Sequence, residues 1–363
     1  GFGVFLIFFL LPFFISGQSI QLKWIGESPK LKAGVSWGVP FDKGKITVKQ
    51  AFSLSNAEHT DLQLQSWPLA YWPDGSVKWM GFAASVQPSE YFQLQTKPNS
   101  NTTNNTFAEN FADSILINSG IYKCVINKKG KSLFKTISIN NRTISENGRL
   151  ICKLENREKL DDGILSYETY ESEIKEAILE QSGPVRTVIK LSGVHRSVSK
   201  NREILAFVVR LYFYKDIQQI RLVHSFIYDG HQDKDFIKAL GIVFDVPLRE
   251  KDHNRHIRFS GENGGLWNES VKPLSGRNPF IYLGDKSLSV KQFAGESLPE
   301  ITPIDTVAYH DFINFPSWDD YKLTQLNPNG FSISKRTNNH SSWLHADDGN
   351  RASGLAMVGD ISG

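Results

Sequence analysis

The sequence predicts an all-β protein, and three observations support that fold class. Residues 62–65 and 220–228 alternate between apolar and polar side chains, which is the two-residue period of half-buried strands. Short aromatic and β-branched runs recur along the chain, separated by Gly, Pro and Asn. No stretch between residues 20 and 97 keeps a helical apolar period. We therefore expect a small N-terminal β-barrel followed by a large β-sandwich.

The composition is that of a globular protein. The chain has 363 residues, which is long enough for two or three domains. Its hydrophobic content of 40% and its charged content of 22% are ordinary values. The net charge is only +3, and basic residues are not interleaved with aromatics. We therefore set aside nucleic acid as a partner.

The N-terminal segment has the composition of a signal peptide. Residues 2–15 form an almost unbroken apolar run, which is followed by the small residues Ser16 and Gly17. A membrane-spanning helix needs about 20 residues, so this run is short for a bilayer. We predict a signal peptide over residues 1–17 and a secreted, periplasmic or extracellular protein, without stable membrane insertion after cleavage. A membrane anchor is the alternative.

One stretch contains a turn between two aromatic strands. Pro73, Asp74 and Gly75 supply the turn chemistry, because Pro presets φ, Asp bonds its own backbone and Gly accepts a positive φ. The flanking residues 69–72 and 77–80 are rich in aromatics, which favour strands. We predict a tight β-hairpin, whose aromatic side chains either cover a hydrophobic core or form a platform for stacking sugars.

A polar segment separates the two expected domains. Residues 98–106 are dominated by Asn, Ser and Thr, which have low helix and strand propensity. We place the barrel over residues 20–97, the linker over 98–106 and the sandwich over 107–363. In the alternating segment 220–228, His224 shares the apolar face, and we expect a core histidine there.

The two cysteines allow two interpretations. Cys124 and Cys152 each lie in a strand-like segment. Secretion favours a disulfide between them, whereas the alternative is a pair of buried free thiols.

The hairpin and its surroundings resemble a known family. Gly-Val-Pro-Phe at 38–41, followed by Leu-Gln-Ser-Trp-Pro-Leu-Ala-Tyr-Trp-Pro-Asp-Gly-Ser-Val-Lys-Trp at 64–79, is similar to the N-terminal barrel of the exo-rhamnogalacturonan lyase-like family. Gly-Pro-Val-Arg at 183–186 and Asp-Lys-Asp-Phe-Ile at 233–237 resemble its central domain. The resemblance implies a RIFT-like β-barrel followed by a β-sandwich. A catalytic α/α-toroid usually follows in this family, so we expect this chain to be a fragment of a longer enzyme.

The resemblance also implies a reaction. Relatives of this kind are polysaccharide lyases, which cleave uronic-acid-containing polysaccharide, of the rhamnogalacturonan or ulvan type, by β-elimination. That reaction needs a cation beside the substrate carboxylate, a base for the C5 proton and an acid for the leaving O4. The sequence itself contains no His-Glu-X-X-His, Gly-X-Ser-X-Gly or phosphate-binding glycine loop, so it identifies no reaction by itself. We leave open whether the fragment alone is active.

Candidate catalytic residues are of the types that a lyase uses as base, acid or carboxylate-binding cation. The densest group surrounds a glycine at a predicted strand end, where loops carry function. The catalytic candidates are His231, Tyr228, Lys238, Arg255 and Arg351. The alternative for each is an ordinary solvated residue of a loop or strand face.

Candidate substrate-binding residues are aromatic or charged. Trp72 and Trp267 are candidates for stacking on sugar rings, and Arg258 and His345 for contacts with carboxylates. The alternatives are core packing for the tryptophans and an exposed charged face for the others. We expect an acidic polysaccharide as partner and assign no metal ligand or cofactor. A divalent cation such as calcium and the oligomeric state are left open.

Two other functions compete with a lyase. A non-catalytic carbohydrate-binding module would bind glycan without releasing unsaturated products. A glycoside hydrolase of related architecture would need two carboxylates flanking the scissile bond, and the sequence singles out no such pair.

Overall fold

The computed structural model describes residues 19–98, 105–159 and 163–247, with shorter stretches up to residue 358. The shorter stretches are residues 249, 254, 256–260, 266–270, 287–298, 320–327, 330–336 and 352–358. The chain divides into two compact units, Gly1–Pro247 and Leu248–Gly363. Strands make up almost all of the regular structure, which confirms the all-β fold class.

Two of the expectations concern residues outside this description. The signal peptide over residues 1–17 lies wholly outside the described residues, and so does most of the linker over 98–106. Both therefore stay predictions. Within the described residues, no helix combines the length and the apolar character needed to cross a membrane.

The N-terminal barrel consists of two antiparallel sheets. Its strands are β1 (Ser19–Leu22), β2 (Ala33–Pro40), β3 (Ser53–Asn56), β4 (Asp61–Leu62), β5 (Leu64–Tyr71), β6 (Val77–Val86) and β7 (Phe92–Gln95). One sheet has the order β1-β7-β3-β4 and the other the order β2-β6-β5. Inward side chains of both sheets meet in one core, in which Leu54, Met80 and Phe82 are almost fully buried.

The predicted aromatic hairpin is confirmed between β5 and β6. Trp72 N donates to Ser76 O at 2.8 Å, and Gly75 takes the positive φ of 83° that the turn requires. Ser76 donates to Asp74 Oδ1 from its hydroxyl and from its backbone N–H, at 2.6 and 3.0 Å. These hydrogen bonds lower the pKa of Asp74 and close the turn.

The β-sandwich is built from one long meander. Its strands are β8 (Ala108–Asn110), β9 (Ser114–Asn118), β10 (Tyr122–Asn127), β11 (Phe134–Ile139), β12 (Arg142–Asn156), β13 (Ser166–Ser182), β14 (Arg186–Ser197), β15 (Glu203–Tyr214), β16 (Ile220–Phe226) and β17 (Asp235–Asp245). Strands β8 to β16 pair with their sequence neighbours, and β17 pairs with β12. Ile115, Ile117, Ile189, Leu191 and Val209 share one buried core. Because these residues come from both ends of the meander, the sheet folds over itself into two layers.

The barrel packs directly against the sandwich. Ala83 of β6 is buried in a common cluster with Val185 and Tyr214. Gln65 Oε1 accepts hydrogen bonds from the backbone N–H groups of Val185 and Arg186, at 3.1 and 2.7 Å. A side chain of the barrel thus satisfies two donors at the start of β14.

Two glycines permit this close approach. A Cβ at Gly34 would lie 2.2 Å from Tyr214 Cγ, and a Cβ at Gly183 would lie 2.3 Å from Gln65 Cδ. Both distances are far below van der Waals contact, so any other residue at either position would push the domains apart or displace the facing side chain.

The second unit contains short antiparallel sheets and one helix. Its elements are β18 (His256–Ser260), β19 (Leu266–Ser270), α1 (Ser287–Ala294), β20 (Asp320–Asn327), β21 (Gly330–Arg336) and β22 (Ala352–Val358). Strand β18 pairs with β19, while β21 lies between β20 and β22. His256 Nε2 lies 2.9 Å from Gln292 O, which joins β18 to α1.

Of the two interpretations left open for the cysteines, the structure shows two buried free thiols and no disulfide. Cys124 on β10 and Cys152 on β12 are free and fully buried. Cys124 is in register with Ile137 and, through it, with Ser145 of β12. Ser145 and Cys152 are separated by about 20 Å along β12 at the rise of a strand. A disulfide needs Cα atoms within about 7 Å of each other, so Cys124 and Cys152 are too far apart to form one. Burial raises the pKa of both thiols, to about 11 for Cys152.

Candidate functional site

The loop between β16 and β17 carries two of the predicted catalytic residues. The Tyr228 hydroxyl donates to Asp235 O at 2.5 Å, and the His231 backbone N–H donates to Asp235 Oδ2 at 2.9 Å. The exposed His231 ring accepts a hydrogen bond from Asp233 N at Nδ1, at 3.3 Å. The structure therefore brings Tyr228 and His231 together around Asp235.

An ion pair holds this loop in place. The Arg202 guanidinium bonds both carboxylate oxygens of Asp235, with Nη1 3.1 Å from Oδ1. The Asp235 side chain is only 4% exposed. Hydrogen bonding from Arg202 lowers the pKa of Asp235, and burial raises the pKa of Tyr228. Arg202 is thus committed to Asp235 rather than to a substrate carboxylate.

Lys238 lies on β17 and points to a different partner. Its Nζ is 3.3 Å from Glu155 Oε2, and Arg157 Nε is 2.8 Å from Oε1 of the same carboxylate. The hydrogen bond from Arg157 is the main reason why the pKa of Glu155 is lowered. The structure places Lys238 in this ion-pair network, with no hydrogen bond to Tyr228 or His231 among the described residues.

Two histidines, one buried and one half-buried, lie beside the loop. His195 on β14 and His224 on β16 have ring centroids 5.5 Å apart, and neither Nε2 has a hydrogen-bond partner among the described residues. Burial lowers the pKa of both rings, that of His224 to about 4. The expected core histidine at position 224 is therefore only half-buried, and its Nε2 is unsatisfied among the described residues. No group of three metal-binding side chains is formed within the described residues.

Leu205 joins the histidine pair to the loop. Its φ is 48°, which is sterically unfavourable for a branched side chain. Its carbonyl oxygen lies 2.9 Å from His195 Nδ1, and its N–H donates to Asp229 Oδ1 at 2.7 Å. Backbone strain such as that of Leu205 often occurs at functional sites.

Strand β16 ends at Phe226. Tyr228 therefore lies in the loop and not on the strand face that alternation over residues 220–228 predicted.

The other predicted catalytic and substrate-binding residues of the C-terminal part fall in the second unit. Arg255, His345 and Arg351 lie outside the described residues. Arg258 and Trp267 lie on the paired strands β18 and β19. The roles assigned to all five stay predictions.

Trp72 is part of the barrel hairpin. Its Nε1 donates to Phe41 O at 3.0 Å, and Lys78 Nζ lies 4.7 Å from its ring centroid. The half-buried indole therefore attaches the hairpin to the end of β2. Its assignment to sugar binding stays a prediction.

Two other tryptophans lie against the outer face of the β2-β6-β5 sheet. Gly38 of β2 and Gly81 of β6 are direct partners. Trp79 covers Gly38 and Trp67 covers Gly81, since a Cβ at these glycines would lie 2.1 and 2.5 Å from the respective indoles. The missing side chains make room for both rings, and Trp79 remains 41% exposed.

Side chains of the sandwich continue this surface. The Arg186 guanidinium lies 4.3 Å from the Trp67 ring centroid and 5.7 Å from that of Tyr212. The Arg221 guanidinium lies 5.5 Å from the same Tyr212 ring. We call this surface the aromatic–cation strip, formed by Trp79, Trp67, Arg186, Tyr212 and Arg221. It crosses the junction between barrel and sandwich.

The two arginines of the strip have no carboxylate in direct contact among the described residues, although Arg186 contributes, after the hydrogen bond from Arg210, to the lowered pKa of the nearby Glu180. Arg186 donates to Gln181 Oε1 at 2.9 and 2.6 Å instead of to a carboxylate. Among the described residues, neither Arg186 nor Arg221 forms an ion pair, whereas the neighbouring Arg210 pairs with Glu180 at 2.8 Å. Two guanidinium groups therefore remain available for an external anion.

Aromatic faces beside such guanidinium groups suit an acidic sugar. Indole and phenol rings stack on the apolar faces of pyranose rings, and a guanidinium binds a carboxylate through two parallel hydrogen bonds. Sequence reasoning did not find this surface, because Trp67 and Arg186 are far apart in the chain. The segment 183–186, which contains Arg186, resembles the central domain of the family but carries no local signal of a binding surface.

Comparisons with known proteins give the same architecture. The PcRGLX-like N-terminal RIFT barrel domain matches residues 18–99, and the PcRGLX-like protein central beta sandwich domain matches residues 107–363. The uncharacterized protein YetA of Bacillus subtilis (strain 168) is 34% identical over 346 residues. That match covers 94% of this chain but only 40% of the relative's length. The chain therefore belongs to the PcRGLX-like, exo-rhamnogalacturonan lyase-like family, of which it contains the RIFT barrel and the central β-sandwich.

Proposed function

We propose that this chain is the polysaccharide-holding β-region of a secreted lyase, which cleaves a uronic-acid-containing polysaccharide of the rhamnogalacturonan or ulvan type by β-elimination. The observation that carries the proposal is the aromatic–cation strip. Family membership supports the reaction class, and the chemistry of the strip supports an acidic polysaccharide as the ligand.

The strip suits binding of the polymer rather than the proton transfer itself. Arg221 lies about 17 Å, at the rise of a strand, from the end of β16 where the loop begins, so a uronic acid held at the strip is not the one that is cleaved there. The Arg186 and Arg221 guanidinium groups both lie within 6 Å of the Tyr212 ring centroid, so the carboxylates of a glycan bound along the strip would meet two cations close together. Stacking alone would hold neutral and acidic glycans equally, and the two arginines add the preference for acidic ones.

We place the proton-transfer groups in the loop between β16 and β17. The His231 ring is exposed, and its neutral form keeps a lone pair on Nδ1, the nitrogen that accepts the Asp233 N–H at 3.3 Å, so Nδ1 is the candidate base. Tyr228 is the candidate acid, because its hydroxyl is already a hydrogen-bond donor. Arg255 and Arg351 remain further candidates for the carboxylate-binding cation. We assign no cofactor to the reaction.

A non-catalytic carbohydrate-binding role is the second candidate, and one observation favours it. The cations around the predicted catalytic loop bind protein carboxylates, as Arg202 does with Asp235 and Lys238 with Glu155. Holding a glycan is therefore the task that the described residues can perform without rearrangement. The chain spans 40% of the length of its curated relative, so a lyase reaction of the whole protein is a proposal.

The strip is tested by comparing two arginine variants of the same strand. Arg186→Gln removes a guanidinium from the strip, whereas Arg196→Gln removes one that is paired with Glu203 outside it. We expect Arg186→Gln to weaken binding of rhamnogalacturonan and polygalacturonate by about tenfold, and Arg196→Gln by less than about twofold. Binding to neutral galactan should be weak in all three proteins. Affinity electrophoresis or calorimetry at several salt concentrations measures these differences.

Reaction and binding are separated by a second assay. The chain and the complete gene product are incubated with rhamnogalacturonan and ulvan, and the ultraviolet absorbance of unsaturated uronic ends is followed. Product release that falls in a His231→Gln variant supports the lyase. Strip-dependent binding without unsaturated ends supports the binding module. Equal binding by the Arg186→Gln and Arg196→Gln variants overturns the role of the strip.

A further inference from the structure

A cleft opens in the barrel where its two sheets separate. Strand β1 is an edge of the four-stranded sheet and β2 is an edge of the three-stranded sheet, and the two are not paired with each other. Residues 22–25, at the end of β1, and residues 35–38, on β2, line a cavity of about 480 Å³. This volume lies within the range of sites for small ligands. None of the residues of the aromatic–cation strip lines the cleft.

The cleft has aromatic walls and an apolar floor. Trp24 follows β1 and Trp37 lies on β2, so each edge contributes one indole. Leu54, Val86 and Phe92 are almost fully buried at the base of the cleft. The Phe92 ring meets the Trp24 ring edge to face, with centroids 6.0 Å apart. An occupant must therefore present mainly C–H groups to the protein, and it has three aromatic rings to pack against.

The two indoles offer no hydrogen bond to an occupant. Trp24 Nε1 already donates to Ser89 O at 3.1 Å. Trp37 Nε1 is enclosed by protein atoms and has no surface that a ligand could reach. The hydroxyl groups of a sugar would lose their hydrogen bonds to water among these side chains, which is unfavourable without replacement. The cleft therefore suits a ligand with few polar groups and not a glycan.

The mouth of the cleft is positively charged. Lys23 lines the cleft, is exposed and forms no ion pair with a described carboxylate. The exposed Ser36 also lines the cleft. Among the described residues that line the cleft, none is acidic. An anionic group of an occupant would therefore meet the Lys23 ammonium group without competition from a carboxylate in the lining.

We propose that this cleft binds an arylalkyl carboxylate, a small molecule in which a short carbon chain joins one aromatic ring to one carboxylate. Its ring packs beside Trp24, Trp37 and Phe92, because aromatic rings pair favourably in stacked and edge-to-face arrangements. Its carboxylate stays in water at the mouth, beside the ammonium group of Lys23. This site goes beyond the proposed function and does not depend on it, since it involves neither the strip nor the loop between β16 and β17.

The test uses two ligands that differ in charge. Phenylpropionate and phenylpropanol have the same ring and the same number of carbon atoms, but only the first is an anion. We expect the full chain to bind the propionate about three- to fivefold more tightly at low salt, and the difference to vanish at about 1 M salt, which screens an exposed ion pair. Ligand-observed nuclear magnetic resonance measures both affinities, and saturation transfer should be strongest at the ring protons.

A pair of lysine variants connects the preference to the mouth of the cleft. Lys23→Met keeps the aliphatic stem but removes the charge, so it should erase the preference for the propionate and leave binding of the alcohol unchanged. Lys49→Met is the matched control, because it removes an exposed charge of the barrel outside the cleft. It should keep the preference. Both side chains are exposed, so both variants are expected to fold.

A third variant tests the cavity itself. Val35 lines the cleft from β2, and Val35→Phe would fill part of the space, so we expect both ligands to bind about tenfold more weakly. Thermal unfolding verifies that this variant folds, and Lys23→Met decides the matter if it does not. The proposal is overturned by equal affinity of the unmodified chain for the two ligands or by an unchanged preference in Lys23→Met. Full binding by a folded Val35→Phe variant overturns it as well.

Discussion

Arg202 bonds both carboxylate oxygens of Asp235. This ion pair connects the residue before β15 to the first residue of β17. The carboxylate is almost fully buried, whereas about a third of the Arg202 side chain is exposed. Asp235 also accepts the backbone N–H of His231 and offers its carbonyl oxygen to the Tyr228 hydroxyl. One ion pair therefore holds the loop that carries Tyr228 and His231, two of the five predicted catalytic residues.

Arg202→Met should destabilise the protein by about 2 to 4 kcal/mol, because it keeps the aliphatic stem but leaves a buried carboxylate unpaired. Urea unfolding measures this free energy. The matched control is Arg196→Met, which removes one member of an exposed ion pair with Glu203 and should cost less than about 1 kcal/mol. Equal losses in the two variants would show that burial of Asp235 does not govern the loop.

The histidine pair predicts a dependence of stability on pH. Burial depresses the pKa of His224 from 6.5 to about 4, and that of His195 shifts in the same direction. Between pH 6.5 and pH 4 the unfolded chain binds protons that the native state does not. The contribution of these histidines to the free energy of unfolding is therefore at its maximum above about pH 6.5 and decreases towards pH 4. His195, Phe207 and Phe226 surround the His224 ring.

His224→Phe should therefore flatten the pH dependence by about 1 to 2 kcal/mol between pH 7 and pH 5, once partial solvent exposure is taken into account. Urea titrations of both proteins at the two pH values measure it. Parallel pH profiles for the native protein and the variant would contradict a neutral, half-buried His224.

The glycine pair beneath the indoles predicts a packing effect. Gly81→Ala would place a Cβ 2.5 Å from Trp67, so the indole must move, at a cost of about 1 to 3 kcal/mol. Gly241→Ala is the control, because a Cβ there meets nothing within 4 Å. Thermal unfolding measures stability, and polygalacturonate binding should weaken in the Gly81→Ala variant alone. Unchanged binding after displacement of Trp67 would argue against stacking on this ring.

The two cysteines should be inert in the native protein. Cys124 and Cys152 are fully buried, and burial raises the pKa of both thiols, so little reactive thiolate is present at neutral pH. A thiol reagent should modify neither residue in the native state and both in urea, without prior reduction. A protein that needs reduction before it reacts in urea would contain the disulfide after all.

Local chemistry made the fold class and the hairpin predictable. Pro73, Asp74 and Gly75 define a turn from sequence alone, and alternation places His224 on an apolar face without reference to any distant residue. Strand register was not predictable, because pairing depends on residues far apart in the chain. The pairing state of the cysteines was not predictable for that reason, since Cys124 and Cys152 both lie in strands but far apart along them.

The same limit applies to the candidate site. Lys238 has the right chemistry for a lyase, yet its ammonium reaches Glu155 on the neighbouring strand, a contact set by the β12–β17 register. Trp67 and Arg186 meet because the barrel packs on the sandwich, and no spacing in the chain encodes that contact. Composition identified suitable residue types, while tertiary packing decided which of them act together.

The packing of Gly34 under Tyr214 and of Gly183 under Gln65 has a consequence for avidity. The two indoles of the strip belong to the barrel, whereas Tyr212 and both guanidinium groups belong to the sandwich, so each domain alone would offer a weak half-site. Held together in this packing, the two halves would engage one polymer at a high effective concentration, without the entropy loss of a flexible linker. The two glycines would thus fix the spacing between the indoles and the guanidinium groups that a bound polymer meets, although neither glycine would touch it.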